Sequence, residues 1–159
     1  MLLKGVNDED FVNYKIPSMV LATSFCSFKC EKEYGEPICQ NSELAKAPTL
    51  DIEVDTIVNR YLSNPITKAI CLGGLEPFDQ FRDVVELITL LRIRYHCDDT
   101  VVIYTGYNKD EIRSYISIIK RFKNVVIKFG RFIPNQEKHY DDVLGVDLAS
   151  DNQYAEVIS

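Results

Sequence analysis

Apolar residues fall into two alternating patterns along the chain. Uninterrupted apolar runs predict four buried strands, at residues 16–25, 67–74, 100–107 and 124–130. Apolar residues at helical spacing predict helices between these strands, at residues 53–64, 77–95 and 109–122. Pro77 opens the second helix, where its fixed φ suits a first turn, and Asp51 or Asp55 is expected to cap the first. The alternation predicts an α/β fold of parallel β/α units with right-handed crossovers.

The polar and glycine-rich segments follow the ends of these strands. They are a cysteine loop after the first strand and the sequences "GGLEP", "TGY" and "GRF" after the next three. Ligands of parallel α/β folds bind at the carboxyl ends of the strands, so we expect one site at this edge. A chain of 159 residues is short for a closed eight-stranded barrel, which takes about 250. A partial, open barrel and a doubly wound sheet both fit, and the polar tail is expected to form loops with one final strand near 154–159.

Length and charge narrow the class of protein. We expect a single domain over residues 1–159 with its own core. The net charge of −6 disfavours a broad phosphate-binding surface, so no nucleic-acid partner is expected. No apolar run has the length of a membrane span and the start lacks the apolar core of a signal peptide, which favours a cytoplasmic protein without a membrane partner. Thiols stay reduced there, and five cysteines cannot all pair.

Three of the five cysteines lie in one loop. Three residues separate Cys26 from Cys30, and eight separate Cys30 from Cys39. They are either unrelated thiols, or zinc ligands completed by Cys71 or His139, or the three thiolates of a 4Fe–4S cluster with one iron left open. Spacing alone leaves these alternatives open.

A family resemblance gives the loop its context. The order of "SFCSFKC", "CQN", "CLGGLEPF", "VVIYTGY", "GRFIP" and "SDNQ" resembles that of radical S-adenosylmethionine (SAM) enzymes. The most similar group is the small activating enzymes of anaerobic ribonucleotide reductase and related glycyl radical enzymes. The resemblance spans about residues 19–158. This chain departs from the family pattern by six extra residues before Cys39 and by Leu75, which lies inside the family's Gly-Gly-Glu-Pro motif.

The resemblance implies a fold and a set of site residues. The fold would be a partial, open parallel β/α barrel of the radical SAM type. Cys26, Cys30 and Cys39 would hold a 4Fe–4S cluster. Five further residues would lie at bound SAM, the first three of them at its amino group: Gly73, Gly74, Glu76, Tyr104 and Gly106.

The remaining basic residues, cysteines and histidines near these motifs have weaker links to the site. Lys128 or Arg131 would reach the SAM carboxylate, although an exposed, solvated charge is the simpler interpretation of each. We expect Cys71 to be a small core residue and Cys97 to have no role in the site. His96 and His139 have no partner in a recognisable constellation.

The implied activity is reductive cleavage of SAM to a 5′-deoxyadenosyl radical. Its target would be a glycyl radical enzyme such as anaerobic ribonucleotide reductase, with a low-potential electron donor such as flavodoxin or ferredoxin. Two alternatives stand beside it: a radical SAM enzyme acting on a small molecule or peptide, and a non-catalytic module that binds zinc or a cluster. Metal content and SAM cleavage separate the last from the others.

Overall fold

The computed structural model describes residues 1–159 and contains a mixed sheet of seven strands. The strands are β1 (Leu2–Asp10), β2 (Ser18–Thr23), β3 (Leu50–Asp51), β4 (Ala69–Gly74), β5 (Thr100–Tyr104), β6 (Val125–Phe129), β7 (His139–Asp141), β8 (Val146–Leu148) and β9 (Tyr154–Val157). Strands β7 and β8 form a separate hairpin, and the other seven form the sheet. The helices are α1 (Lys29–Tyr34), α2 (Ser42–Lys46), α3 (Val54–Leu62), α4 (Phe81–Thr89) and α5 (Arg113–Ile119). No helix combines the length and the apolar character needed to cross a membrane.

The centre of the sheet is parallel. Its order is β3-β1-β2-β4-β5-β6-β9, and β2, β4, β5 and β6 pair in parallel. The edge strands β1, β3 and β9 are antiparallel to their neighbours. Thr23 pairs with Gly74, and Tyr104 pairs with Lys128. The carboxyl ends of the parallel strands therefore lie along one edge.

The helices build the larger core on one face of the sheet. Helix α3 is amphipathic and buries Val54, Ile57, Val58 and Tyr61. Helices α4 and α5 connect β4 to β5 and β5 to β6, and their apolar side chains join the same cluster of 23 buried residues. Burial of these side chains, at about 25 cal/mol per Å² of apolar surface, is the main stabilising contribution to the fold.

The chain itself covers the opposite face of the sheet. Tyr14 and Leu144 pack there in a second cluster with residues of β4, β5 and β6. The backbone N–H of Lys15 donates to Leu144 O at 2.7 Å. A Cβ on Gly145, whose φ is +75°, would lie 2.5 Å from the Lys15 Cβ, so glycine permits this close approach. We call residues 11–16 together with the β7–β8 hairpin the inner cover.

The observed elements differ from the predicted ones in identifiable places. The four predicted strands correspond to shorter strands, β2, β4, β5 and β6. The helix predicted at 77–95 is a 3₁₀ turn (Pro77–Gln80), α4 and a π turn (Leu90–Arg94), and the helix predicted at 109–122 starts with a 3₁₀ turn (Lys109–Ile112). Neither Asp51 nor Asp55 caps α3, because Glu53 occupies the cap position without a side-chain hydrogen bond.

Candidate functional site

One cavity of about 360 Å³ opens at the carboxyl edge of the parallel strands. Residues from the cysteine loop and from the ends of β4, β5 and β6 line it. The eight residues selected from the sequence all contribute to its wall: Cys26, Cys30, Cys39, Gly73, Gly74, Glu76, Tyr104 and Gly106. The cavity has the size of a small-molecule site, which takes about 300–1,000 Å³.

The cysteine loop contains two short helices that the sequence did not predict. Cys26 precedes α1, Cys30 lies in its first turn, and Cys39 follows it. Helix α1 is bounded by Phe28 at φ 51° and Gly35 at φ 83°, both left-handed. The Cys39 N–H donates to the Glu31 carboxylate at 3.2 Å, which ties the third cysteine to the helix of the second.

The three thiols are half-buried and free of disulfides. Burial raises the pKa of Cys26 to about 11, while the Phe28 N–H, 3.2 Å from its sulfur, acts in the opposite direction. The pKa of Cys30 is raised by burial and then by the nearby Cys39. Without a cation the Cys26 and Cys30 thiols stay protonated at neutral pH. Metal binding must therefore displace protons, as it does for thiolate ligands in general.

The donor set consists of three thiols around one cavity, which fits a 4Fe–4S cluster held by three cysteines. Three sulfurs line one cavity, yet no group of His, Cys, Asp or Glu side chains is arranged to hold a single metal ion. Zinc would need four donors that converge at about 2.0–2.3 Å. Of the two residues considered as a fourth zinc ligand, Cys71 lines the cavity and His139 does not. In a 4Fe–4S cluster the three thiolates would each bind one of three irons.

The glycine turn after β4 supports the cavity floor. Gly74 has φ +81°, and an added Cβ would lie 2.8 Å from the Ala22 Cα, so only glycine fits there. The Asn41 side chain donates to Gly74 O, which links the turn to the end of the cysteine loop. The Leu75 N–H donates to Thr23 O at 3.3 Å, and Leu75 itself lines the cavity. The extra residue is thus accommodated within the turn.

Glu76 connects the loops after β4 and β5. Its carboxylate accepts hydrogen bonds from Phe78 N at 3.1 Å, Thr105 Oγ1 at 2.7 Å and Gly106 N at 2.9 Å. Burial raises the pKa of Glu76 to about 7 despite these bonds. A carboxylate has about four lone-pair sites, so three chain donors leave roughly one for a ligand.

Tyr104 and Gly106 occupy the end of β5. The Tyr104 hydroxyl donates to Asn13 O in the inner cover, and a Cβ on Gly73 would lie in ordinary contact, 3.5 Å from the Tyr104 Cβ. Gly106 contributes its backbone N–H to Glu76. Tyr104 therefore joins the cavity wall to the inner cover.

Lys128 and Arg131 are both buried, so the interpretation of exposed, solvated charges was wrong. Lys128 lines the cavity, and its ammonium group donates to Gly130 O at 2.9 Å. Burial lowers the pKa of Lys128 to about 8. Both side chains were expected in water because charged residues rarely lie buried without partners.

The two remaining cysteines, Cys71 and Cys97, lie outside the cysteine loop. Cys71 is buried, as expected, and donates weakly to Ser18 Oγ at 3.4 Å. Cys97 is half-buried and does not line the cavity.

The cavity wall also includes residues that were not predicted from the sequence: Asn13, Val20, Thr105 and Gln153. Gln153 lies in the "SDNQ" segment and donates to Gly130 O at 3.3 Å. Nothing in the sequence around Asn13 indicated a place in the site.

Comparison with known proteins identifies the family. The family model of the 4Fe-4S single cluster domain matches residues 17–153, which contain every candidate site residue. Comparison with curated proteins and with solved structures found no match. Because the family match covers most of the chain and includes the three-cysteine cavity, the chain belongs to the 4Fe-4S single cluster domain family.

Proposed function

We propose that this protein is a radical SAM enzyme, with a partial, open parallel β/α barrel of that type. The observation that carries the proposal is the single cavity in which the three cysteines meet the "GGLEP" turn. The matched family model is found in radical SAM-type proteins, which supports the same conclusion. The order of motifs along the chain is consistent with both observations.

Cys26, Cys30 and Cys39 would hold three irons of the 4Fe–4S cluster through their thiolates. When bound, the cluster supplies one electron that cleaves a sulfonium C–S bond of SAM to give methionine and a 5′-deoxyadenosyl radical. A low-potential donor such as flavodoxin or ferredoxin would deliver that electron. The protein's own contribution is to bind and orient the cluster and SAM and to shield the radical from solvent.

The methionine end of SAM has complementary groups in the cavity wall. The Gly73–Gly74 backbone lines the cavity, and Glu76 retains about one acceptor site for an ammonium group. Lys128 uses one of its three N–H donors within the chain, at Gly130 O, and the remaining two suit a carboxylate. We assign the amino group to the turn and the carboxylate to Lys128.

The target we propose is a glycine-containing loop of a glycyl radical enzyme, such as an anaerobic ribonucleotide reductase. The cavity of about 360 Å³ must receive the cofactors, and the inner cover fills the face of the sheet beyond it. Little enclosed space is left for an additional small substrate. A peptide presented from outside fits this arrangement better.

Anaerobic reconstitution with iron and sulfide, followed by SAM and a strong reductant, tests the proposal. We expect release of 5′-deoxyadenosine and methionine, with no release by the Cys26→Ala variant. A protein that binds the cluster but neither binds nor cleaves SAM would be a non-catalytic cluster module. SAM cleavage without radical transfer to a cognate glycyl radical enzyme would favour a small molecule or peptide as substrate.

A further inference from the structure

Four charged side chains form a compact ion-pair network between the cysteine loop and the ends of β5 and β6. Two lie on α1, at Lys29 and Glu33, on either side of Cys30. The other two are Glu111, which follows β5, and Arg131, which follows β6. Only 8% of the Arg131 side chain is exposed, so the network has a desolvated centre.

Arg131 is the hub of the network. Its Nη1 and Nη2 donate to the two oxygens of Glu111 at 2.7 and 2.6 Å, a bidentate arrangement. Its Nε lies 3.1 Å from a Glu33 oxygen as an ion pair, without an N–H aligned for a hydrogen bond. Lys29 Nζ lies 3.1 Å from Glu111. Two of the four charged residues of α1, Lys29 before Cys30 and Glu33 after it, therefore form ion pairs with one Arg–Glu pair.

The network also borders the candidate cluster site. Arg131 lines the main cavity with all three cysteines, and it lines a small adjoining pocket with Cys26 and Cys30. The Arg131 guanidinium lies 5.9 Å from the centre of the Tyr107 ring, and the Lys29 ammonium lies 4.9 Å from it. The hydrogen bond from Arg131 lowers the pKa of Glu111 to about 2, so Glu111 is ionised at neutral pH.

We propose that Arg131, held by Glu111 and Glu33, is a positioning residue that fixes Cys30 and sets the reduction potential of the cluster. The inference rests on the proposed assignment of Cys26, Cys30 and Cys39 as cluster ligands. Reduction adds one negative charge to the cluster. A buried cation beside the site stabilises the reduced form, and a carboxylate there destabilises it, since charge and burial both tune such potentials.

The signs of the effects separate this role from a merely structural one. The network holds two cations and two anions, so loss of one member leaves an unbalanced charge near Cys30. Arg131→Gln should lower the potential, and Glu111→Gln should raise it. A structural role alone would loosen the cysteine loop in both variants without opposite shifts. Arg131→Lys keeps the charge but loses the bidentate fork, so the potential should stay near that of the wild type while cluster loss accelerates.

The measurement is an EPR-monitored redox titration of the reconstituted cluster, without SAM, in the wild type, Arg131→Gln, Arg131→Lys and Glu111→Gln. We expect the reduction potential to shift in opposite directions in Arg131→Gln and Glu111→Gln. Each shift should be on the order of tenfold in the reduction equilibrium, or about 59 mV for one electron. Release of iron to a chelator measures cluster retention, and it should be roughly tenfold faster in Arg131→Lys. Arg113→Gln is the control, because the Arg113 side chain is exposed, and it should change neither the reduction potential nor the rate of iron release.

Unchanged potentials in Arg131→Gln and Glu111→Gln would overturn the inference, as would shifts of the same sign. Failure of Arg131→Lys and Glu111→Gln to retain any cluster would also overturn it, because Arg131 would then be structural only. The proposed function fails separately, when the wild-type protein holds its cluster but does not cleave SAM. Opposite shifts in such a protein would still support the role of Arg131.

Discussion

Single residues in the cavity wall serve both the fold and the proposed chemistry. Glu76 is the clearest case, since its carboxylate joins two strand-end loops and also faces the cavity. Lys128 is another, because it is buried with a single chain acceptor. Such groups are costly to bury, and perturbed pKa values of this kind cluster at functional sites. Their substitution is expected to affect both stability and ligand binding.

Replacement of any cluster-ligand cysteine should remove the cluster. Anaerobically prepared wild-type protein should contain about four irons per chain, as one 4Fe–4S cluster requires. Cys26→Ala, Cys30→Ala and Cys39→Ala should each lose the brown absorbance and the iron. Cys97→Ala is the matched control, because Cys97 does not line the cavity, and it should keep both. A colourless wild-type protein with stoichiometric zinc would contradict the assignment.

The raised pKa of Glu76 should make stability depend on pH. Its pKa is about 7 in the folded protein, against an ordinary value of 4.5. The folded state holds the proton more tightly, so the carboxyl stabilises the fold below pH 4.5, and this contribution is lost as pH rises through 7. The shift corresponds to about 3 kcal/mol. Denaturant unfolding at several pH values should show this decrease in the wild type.

Glu76→Gln should remove that component of the pH dependence. The amide cannot ionise, so the decrease in unfolding free energy across this range should be smaller than in the wild type. Glu137→Gln, at an exposed position of the tail, should retain the wild-type slope. An unchanged slope in Glu76→Gln would show that the Glu76 carboxyl does not carry the effect. The variant should also bind SAM more weakly while it keeps the cluster.

Elements differ in how far the sequence could predict them. Strands β2, β4, β5 and β6 are buried runs of apolar residues, and this pattern is visible without any tertiary information. Strand β1 was missed because "LLKGVNDED" is largely polar, lies toward the sheet edge and has irregular register with β2. Helix α1 is six residues long and begins after a left-handed Phe28, so no helical periodicity could develop.

The candidate site was predictable where a motif lay at a strand end. Glu76 and the glycines belong to such a motif, and the cysteines lie in one loop. The sequence indicated the burial of Lys128 only weakly, through the unusual position of a lysine inside an apolar run. In the structure all five residues of β6 are buried. The place of Asn13 depends on a contact with Tyr104, 91 positions away, and no local pattern indicates a contact of that kind.

The turn after β4 should not tolerate a side chain at Gly74. Gly74→Ala would combine a left-handed φ of +81° with a contact of 2.8 Å to the Ala22 Cα. Gly35→Ala is a matched control, since φ there is +83° but nothing lies within 4 Å of the added Cβ. The control should lose about 1–2 kcal/mol from backbone strain alone.

Gly74→Ala should lose a further 1–3 kcal/mol or so from steric overlap. It should also weaken SAM binding, because the Gly74 carbonyl, which accepts from Asn41, would shift. Urea unfolding gives the two losses, and titration with SAM gives the affinity. Equal losses in Gly74→Ala and Gly35→Ala would mean that the turn relaxes away from Ala22.

At the scale of the whole molecule, the inner cover determines where a large substrate can approach. Residues 11–16 and the β7–β8 hairpin close one face of the sheet, and the helices close the other. The carboxyl edge with its cavity remains accessible. Deleting residues 145–159 to test docking would remove β8 and also β9, which pairs with β6. Point substitutions on the hairpin are the better probe because they leave the sheet intact.

Tyr140 is the residue with which we expect a glycyl radical enzyme to make contact. It is 62% exposed on the β7–β8 hairpin, and tyrosines often carry much of the binding energy at protein interfaces. With a cognate partner, SAM and reductant in the absence of oxygen, Tyr140→Ser should lower the glycyl radical EPR doublet by roughly tenfold, the equivalent of about 1.4 kcal/mol. SAM cleavage without the partner should be unchanged, since Tyr140 does not line the cavity. Ile93→Ser, 66% exposed in the helical layer, is the control and should transfer the radical normally. Equal transfer by Tyr140→Ser and the wild type would place the partner on another surface.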